Sequence, residues 1–194
     1  MGCNSISLAS LDASCSQSKG GIVEVYLIPY EYISGTTEGS GATISESAET
    51  EDLVTGISYA GTHTVSDWQM FRFRKNTGSM TSTLTIDEAN GVSYIETELT
   101  MLFTRMETDK RVQMVALAKG EVAAVVKDSN GHFWFLGMNE GVVASAGTGQ
   151  TGQNKTDGNY YQVTLKDSSD EYPYEVDLTL ANAIATAAAA HLNA

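Results

Sequence analysis

Two stretches of the chain alternate strictly between faces. Along 94–106, Ile95, Thr97, Leu99, Met101 and Phe103 fall on one side, and Glu96, Glu98, Thr100 and Leu102 on the other. Along 80–86 (MTSTLTI), Thr81, Thr83 and Thr85 lie opposite Ser82, Leu84 and Ile86. A period of two is the mark of a strand with unlike faces. Residues 67–75 (DWQMFRFRK) alternate as well, with Phe71 and Phe73 opposite Arg72 and Arg74, and Asn76-Thr77-Gly78 reads as the turn that follows. Opposite charges on facing strands pair, so Arg72 and Arg74 are expected to meet Glu96 and Glu98. Residues 21–30 (GIVEVYLIPY) are strongly β-prone, until Pro29 stops the strand or marks an edge.

The pattern changes after 106. Glu107-Thr108-Asp109-Lys110 opens a helix over 108–119, with Thr108 as the cap and acid in the first turn. Val112, Val115, Ala116 and Ala118 or Lys119 follow at helical spacing, and Gly120 is placed to end the helix in a left-handed cap. Strands at 122–127 and 132–136 flank Asp128-Ser129-Asn130-Gly131, a hairpin turn. A short strand at 142–146 leads into a glycine-rich loop, and a last strand runs over 160–166.

Three segments have little to bury. Residues 1–20 form a small, polar arm. Residues 34–52 are rich in Gly, Ser, Thr and Glu, within a long loop expected over 34–66; a loop of that length is usually functional or disordered. Residues 177–194 are alanine-rich, which favours helix, but with few large apolar residues they read as an arm or a marginal helix. The body is then 21–176.

Charge narrows the partners. The 194 residues carry 24 Asp and Glu against 11 Lys and Arg, a net −13. Nucleic-acid affinity comes from cations displacing counterions, so free binding to DNA or RNA is not expected. Cys3 and Cys15 fit no zinc or redox spacing and read as reduced thiols. Met1-Gly2-Cys3-Asn4-Ser5-Ile6 has Ile where myristoylation wants Ser or Thr, and no basic-then-apolar leader follows. No apolar run approaches the ~20 residues that span a bilayer. A soluble protein with no membrane role is expected.

No constellation of catalytic groups emerges. Gly147-Thr148-Gly149-Gln150-Thr151-Gly152 matches GxGxxG, but more loop follows where a dinucleotide site needs a helix. The glycines read as a flexible loop that conforms to a partner. His63, His132 and His191 form no ligand cluster, and Asp167-Ser168-Ser169-Asp170-Glu171 lacks calcium-loop spacing. His132 is expected half-buried or paired across strands. The chain is read as a non-enzyme without metal or cofactor.

The order of elements over 107–174 resembles that of bacteriophage tail tube (major tail) proteins, in the style of phages and prophages of gut Bacteroidales-type bacteria. The resemblance rests on one helix after a long hairpin, a strand pair, and GVVASAGTG at 141–149. HFWFL at 132–136 and DGNYYQVTL at 157–165 complete it. It implies a mainly β (α+β) sandwich or barrel with one packed helix. The expected assembly is a hexameric ring, whose strands join into an inner barrel and which stacks into a tube that passes DNA. It further implies an acidic channel in which DNA is non-sticking cargo, and a location in the virion tail after synthesis in the bacterial cytoplasm. The implied partners are the chain itself, tape-measure and terminator proteins, and a sheath if there is one. Thr81, Thr83, Thr85, Glu96 and Glu98 are the candidate channel-facing residues. Thr36, Glu38, Ile44, Glu46, Glu49 and Glu51 are the candidate loop reaching a stacked ring. Two alternatives keep or drop the machine: a tube protein of a contractile injection or type VI secretion system, or a monomeric sandwich binding carbohydrate through Trp68 and Trp134.

Overall fold

A computed structural model of the chain describes residues 18–33, 44–46, 53–74, 76–87, 90–138 and 140–191, with backbone only for 44–46. The fold is mainly β. Its strands are β1 (Ile22–Pro29), β2 (Ile44–Glu46), β3 (Leu53–Ile57), β4 (Gln69–Arg72), β5 (Gly78–Asp87), β6 (Val92–Thr104), β7 (Val122–Asp128), β8 (Phe133–Leu136), β9 (Val143–Gln150), β10 (Tyr160–Ser169) and β11 (Tyr174–Val176). Helix α1 (Thr108–Leu117) follows β6, and α2 (Leu178–Ala190) follows β11. One sheet has the order β2-β3-β11-β8-β7-β1-β4 and the other β5-β6-β10-β9. Within the larger sheet only the β3–β11 pair is parallel; the smaller sheet is antiparallel throughout.

The sheets face each other across one core. Val25 and Leu27 of β1 and Val122, Ala124 and Val126 of β7 meet Leu99, Met101 and Phe103 of β6 and Val163 and Leu165 of β10. The opposite face of the larger sheet is also covered. Tyr26, Ile28, Ala123, Val125 and Phe135 pack with Trp68 and with Ala181, Ile184 and Ala188 of α2. Strands buried on both faces read as unbroken apolar runs. That explains VAAVV in β7 and the run in β1.

Helix α2 corrects the expectation of a single packed helix with an arm or marginal helix after it. Asp177 caps it, its Oδ2 accepting from the Thr179 N–H at 2.8 Å. Ala181, Ile184 and Ala188 are fully buried. Alanine here lets the helix backbone approach the sheet closely, so small side chains are the packing surface.

Helix α1 forms where expected, with different details. Its N-cap is Glu107, with no side-chain cap bond, and not Thr108. Val112 and Val115 point outward at 50% and 44% exposure, and Leu117 is its buried residue. Gly120 does not adopt a left-handed conformation; its N–H donates to the Ala116 carbonyl. The long loop over 34–66 holds the β2–β3 hairpin and a 3-10 turn at Val65–Asp67. The strand expected at 142–146 forms and continues through the first part of the expected glycine-rich loop as the edge strand β9, paired with β10 from Val143 to Gln150.

Arg72 does not meet Glu96 or Glu98. β4 pairs with β1 in the larger sheet, so Arg72 Nε lies 3.0 Å from Glu24 Oε1 of that same sheet. Glu24 also accepts from the buried Tyr26 hydroxyl at 2.8 Å.

Asp167 ties the two sheets together. It is 5% exposed, and its Oδ2 accepts the Gly137 N–H at 3.1 Å just past β8. Burial pushes its carboxyl above the usual value of 3.8, against the backbone hydrogen bonds that lower it. The native state therefore holds this proton more tightly than the unfolded chain, and stability rises as pH falls through the interval between the raised and the ordinary pKa. Asp167→Asn keeps the acceptor and removes the charge. We expect it to be neutral or stabilising at pH 7, with its advantage over wild type shrinking by pH 4. Urea unfolding of both proteins at the two pH values measures this difference.

Candidate functional site: one polar sheet face between two open edges

The smaller sheet buries one face in the core. The other face is uncovered among the described residues. Register places Thr81 opposite Glu98, Thr83 opposite Glu96 and Thr85 opposite Tyr94. All five predicted channel-facing residues thus share this face. Alternation in β10 adds Gln162, Thr164 and Lys166, which stand beside Leu102, Thr100 and Glu98. These were missed because the faces of 160–166 were not separated, although Val163 and Leu165 mark the buried side plainly.

The face is held by side-chain bonds across strands. Thr100 Oγ1 and Thr164 Oγ1 are 3.1 Å apart. Glu96 Oε2 lies 2.5 Å from Lys166 Nζ, and this carboxylate raises the lysine's pKa. On the core side, Ser82 Oγ and Thr97 Oγ1 satisfy one another at 2.8 Å. Asp87 continues the Thr81, Thr83 and Thr85 side of β5, so three carboxylates stand against one ammonium and the face is negative. It is a threonine surface more than an acidic one.

Its edges are β5, of ten residues, and β9, of eight. Among the described residues each pairs on one side only. Exposed edges are usually blunted by lysine, proline or a short strand. Here GSMTSTLTID and VASAGTGQ contain no Lys, Arg or Pro. The irregularity in β9 falls between Ala144 and Ala146, so the run from Ala146 to Gln150 stays regular. Close packing underlies two glycines. A Cβ at Gly149 would come within 2.8 Å of the Tyr161 ring, and one at Gly78 within 2.5 Å of Phe73.

Of the six candidate loop residues, Ile44 and Glu46 stand in β2, at the edge of the larger sheet, with Ile44 opposite Ile57 and Glu46 opposite Val54. Thr36, Glu38, Glu49 and Glu51 lie outside the described residues, as do Cys3 and Cys15. His132 is exposed, not half-buried, and pairs across strands with Glu175 at 2.6 Å. Trp68 is fully buried, its Nε1 donating to the Tyr59 hydroxyl at 2.9 Å, so it offers no face to a sugar.

Among the described residues no group of three His, Cys, Asp or Glu could hold a metal ion, and no helix is long and apolar enough to cross a membrane. Comparison with protein-family models finds no match, and comparison with curated proteins finds none.

Proposed function

We propose that the chain is a tail-tube-type structural protein that closes into rings through the edges of its smaller sheet. One observation carries the reading: this sheet has two long edges without gatekeeper residues, on either side of an uncovered polar face. A sheet open at both edges can extend through copies of itself, and a rotation that closes removes every edge. β5 of one copy would add to β9 of the next. The threonine face, curved inward, would then line a channel.

Such a lining suits a passing polyanion. Hydroxyls hydrogen-bond weakly to phosphate in water, and the residual charge is negative, so there are few cations to release counterions and hold DNA. DNA is cargo in this reading, in a virion tail. A tube protein of a contractile injection system would use the same edges; a sheath partner separates the two. The segment carrying Thr36, Glu38, Glu49 and Glu51 is kept as the reach toward a stacked ring.

Negative-stain electron microscopy of concentrated protein tests this, read beside its sedimentation. Rings or hollow tubes are the expected result. A monodisperse monomer at every concentration, and also when seeded with preformed tail-tip complex, overturns it.

A further inference from the structure

We infer that Arg105 of one copy docks into an aromatic, carboxylate-lined cleft at the opposite end of the smaller sheet of a second copy, as the axial contact between stacked rings. This rests on the ring reading above and adds the partner residues of its stacking contact.

Start with the cleft. β10 pairs β6 as far as Ile95, opposite Ser169. Beyond it, among the described residues, Tyr94, Ser93 and Val92 pair with Thr85, Ile86 and Asp87 and not with β10, so two strands run about 10 Å past the rest of the sheet. A bare two-stranded ribbon is marginal in water. Its inner face continues the core side of the sheet, yet Leu84 and Ile86 there are 46% and 63% exposed. Beside Ile95 opens a cleft of about 520 Å³ lined by Trp134, Tyr172, Glu171, Asp170 and Glu175. Aromatic faces with carboxylates between them select a planar cation, because guanidinium can stack and pair at once.

Now the other end of the same strand. Arg105 directly follows β6 and is one of only two non-glycine residues with positive φ among the described residues, at 70°. Arginine is a poor choice for that conformation, which glycine and asparagine adopt readily. The conformation is braced on both sides: the Arg105 N–H donates to the Asn159 carbonyl at 2.7 Å, and Met106 N–H to Asn159 Oδ1 at 2.8 Å. The side chain is 81% exposed. Its pair with Glu107, 3.2 Å away, is a surface pair of small worth to the fold. Lys110 and Arg111 follow at the start of α1, and Lys110 Nζ lies 2.9 Å from the other oxygen of Glu107.

At one end of β6 Arg105, Lys110 and Arg111 outnumber Glu107 and Asp109, while Asp170, Glu171 and the His132-paired Glu175 stand at the other. A head-to-tail step along the strand direction brings Arg105 toward the cleft of the next copy, and such a heterologous contact repeats without limit. The ribbon of each copy then finds cover for Leu84 and Ile86.

The test uses the full chain and scores rings and tubes separately. Arg105→Glu and Glu171→Arg are each expected to form rings but shorten tubes at least tenfold. The double variant is expected to restore length. Arg105→Gly is the control for folding: relief of the positive φ should raise the melting temperature while tubes are still lost. Rings that stack to wild-type length in Arg105→Glu and Arg105→Gly overturn the inference and leave the ring reading standing. Absence of rings in wild type overturns the ring reading itself.

Discussion

Proline at one of two neighbouring positions of β9, Gly147 or Thr148, is expected to abolish ring formation without unfolding the subunit. Gly147 stands opposite Val163 and Thr148 opposite Gln162 on β10. In an antiparallel pair, successive residues direct their amides alternately toward the partner strand and away from it. One proline therefore removes a ladder bond inside the subunit, and the other removes a donor from the open edge. The first should lower stability by at least about 1 kcal/mol, the net worth of a hydrogen bond. The second should leave stability close to wild type, because edge strands tolerate proline where the amide faces outward. Thermal unfolding identifies which is which, without any assumption about register. The variant that keeps its stability carries the test. It should sediment as a monomer at concentrations where wild type forms rings. Rings from that variant would mean that β9 is not the joint.

How far the sequence carries this picture depends on where each element finds its partner. The β6 alternation is legible because one face meets the core and the other meets solvent; Ile95 to Phe103 are buried at every second position. The hairpin between β7 and β8 is legible because Asp128 and Gly131 supply local turn chemistry, with Asp128 Oδ1 accepting the Asn130 N–H at 2.8 Å. The five residues expected to face a channel fall on one face because β5 and β6 are neighbouring strands. By contrast, the partner of Arg72 is Glu24, 48 residues away, and no local pattern records which sheet β4 joins. The first half of β9 is legible as a strand at 142–146, but its continuation to Gln150 reads as a loop because its residues are small; an edge strand with little to bury needs none of the large β-formers. α2 was undervalued because hydrophobic counts give alanine little weight, although Asp177 followed by apolar residues at 181, 184 and 188 is a readable cap and stripe. β11 has three residues and pairs with both β3 and β8, so tertiary pairing decides it.

Lysine at Thr81, Thr83 and Thr85 is expected to turn an inert face into a DNA-binding one. The three positions are exposed and lie in line along β5, so the substitutions touch no core contact and should leave unfolding nearly unchanged. Wild type presents Asp87, Glu96 and Glu98 against Lys166 here, and should show no affinity for duplex DNA at physiological salt. Three added ammonium groups on a 10-residue strand can meet about three phosphates. Counterion release then gives a slope near −2.7 in log affinity against log salt, or roughly 40-fold between 50 and 200 mM. Fluorescence anisotropy with labelled duplex DNA measures both affinity and slope. In assembled rings the same cations repeat around the channel, and multivalency raises retention far above the monomer's. If the face instead points outward, rings of the variant would bind DNA on their rim, and DNA threaded through assembled tubes would move as freely as in wild type. Binding by monomer together with arrest of threaded DNA is the result that places this face on the lumen. A wild-type protein that already bound duplex DNA with a steep salt slope would remove the reason for a threonine lining altogether.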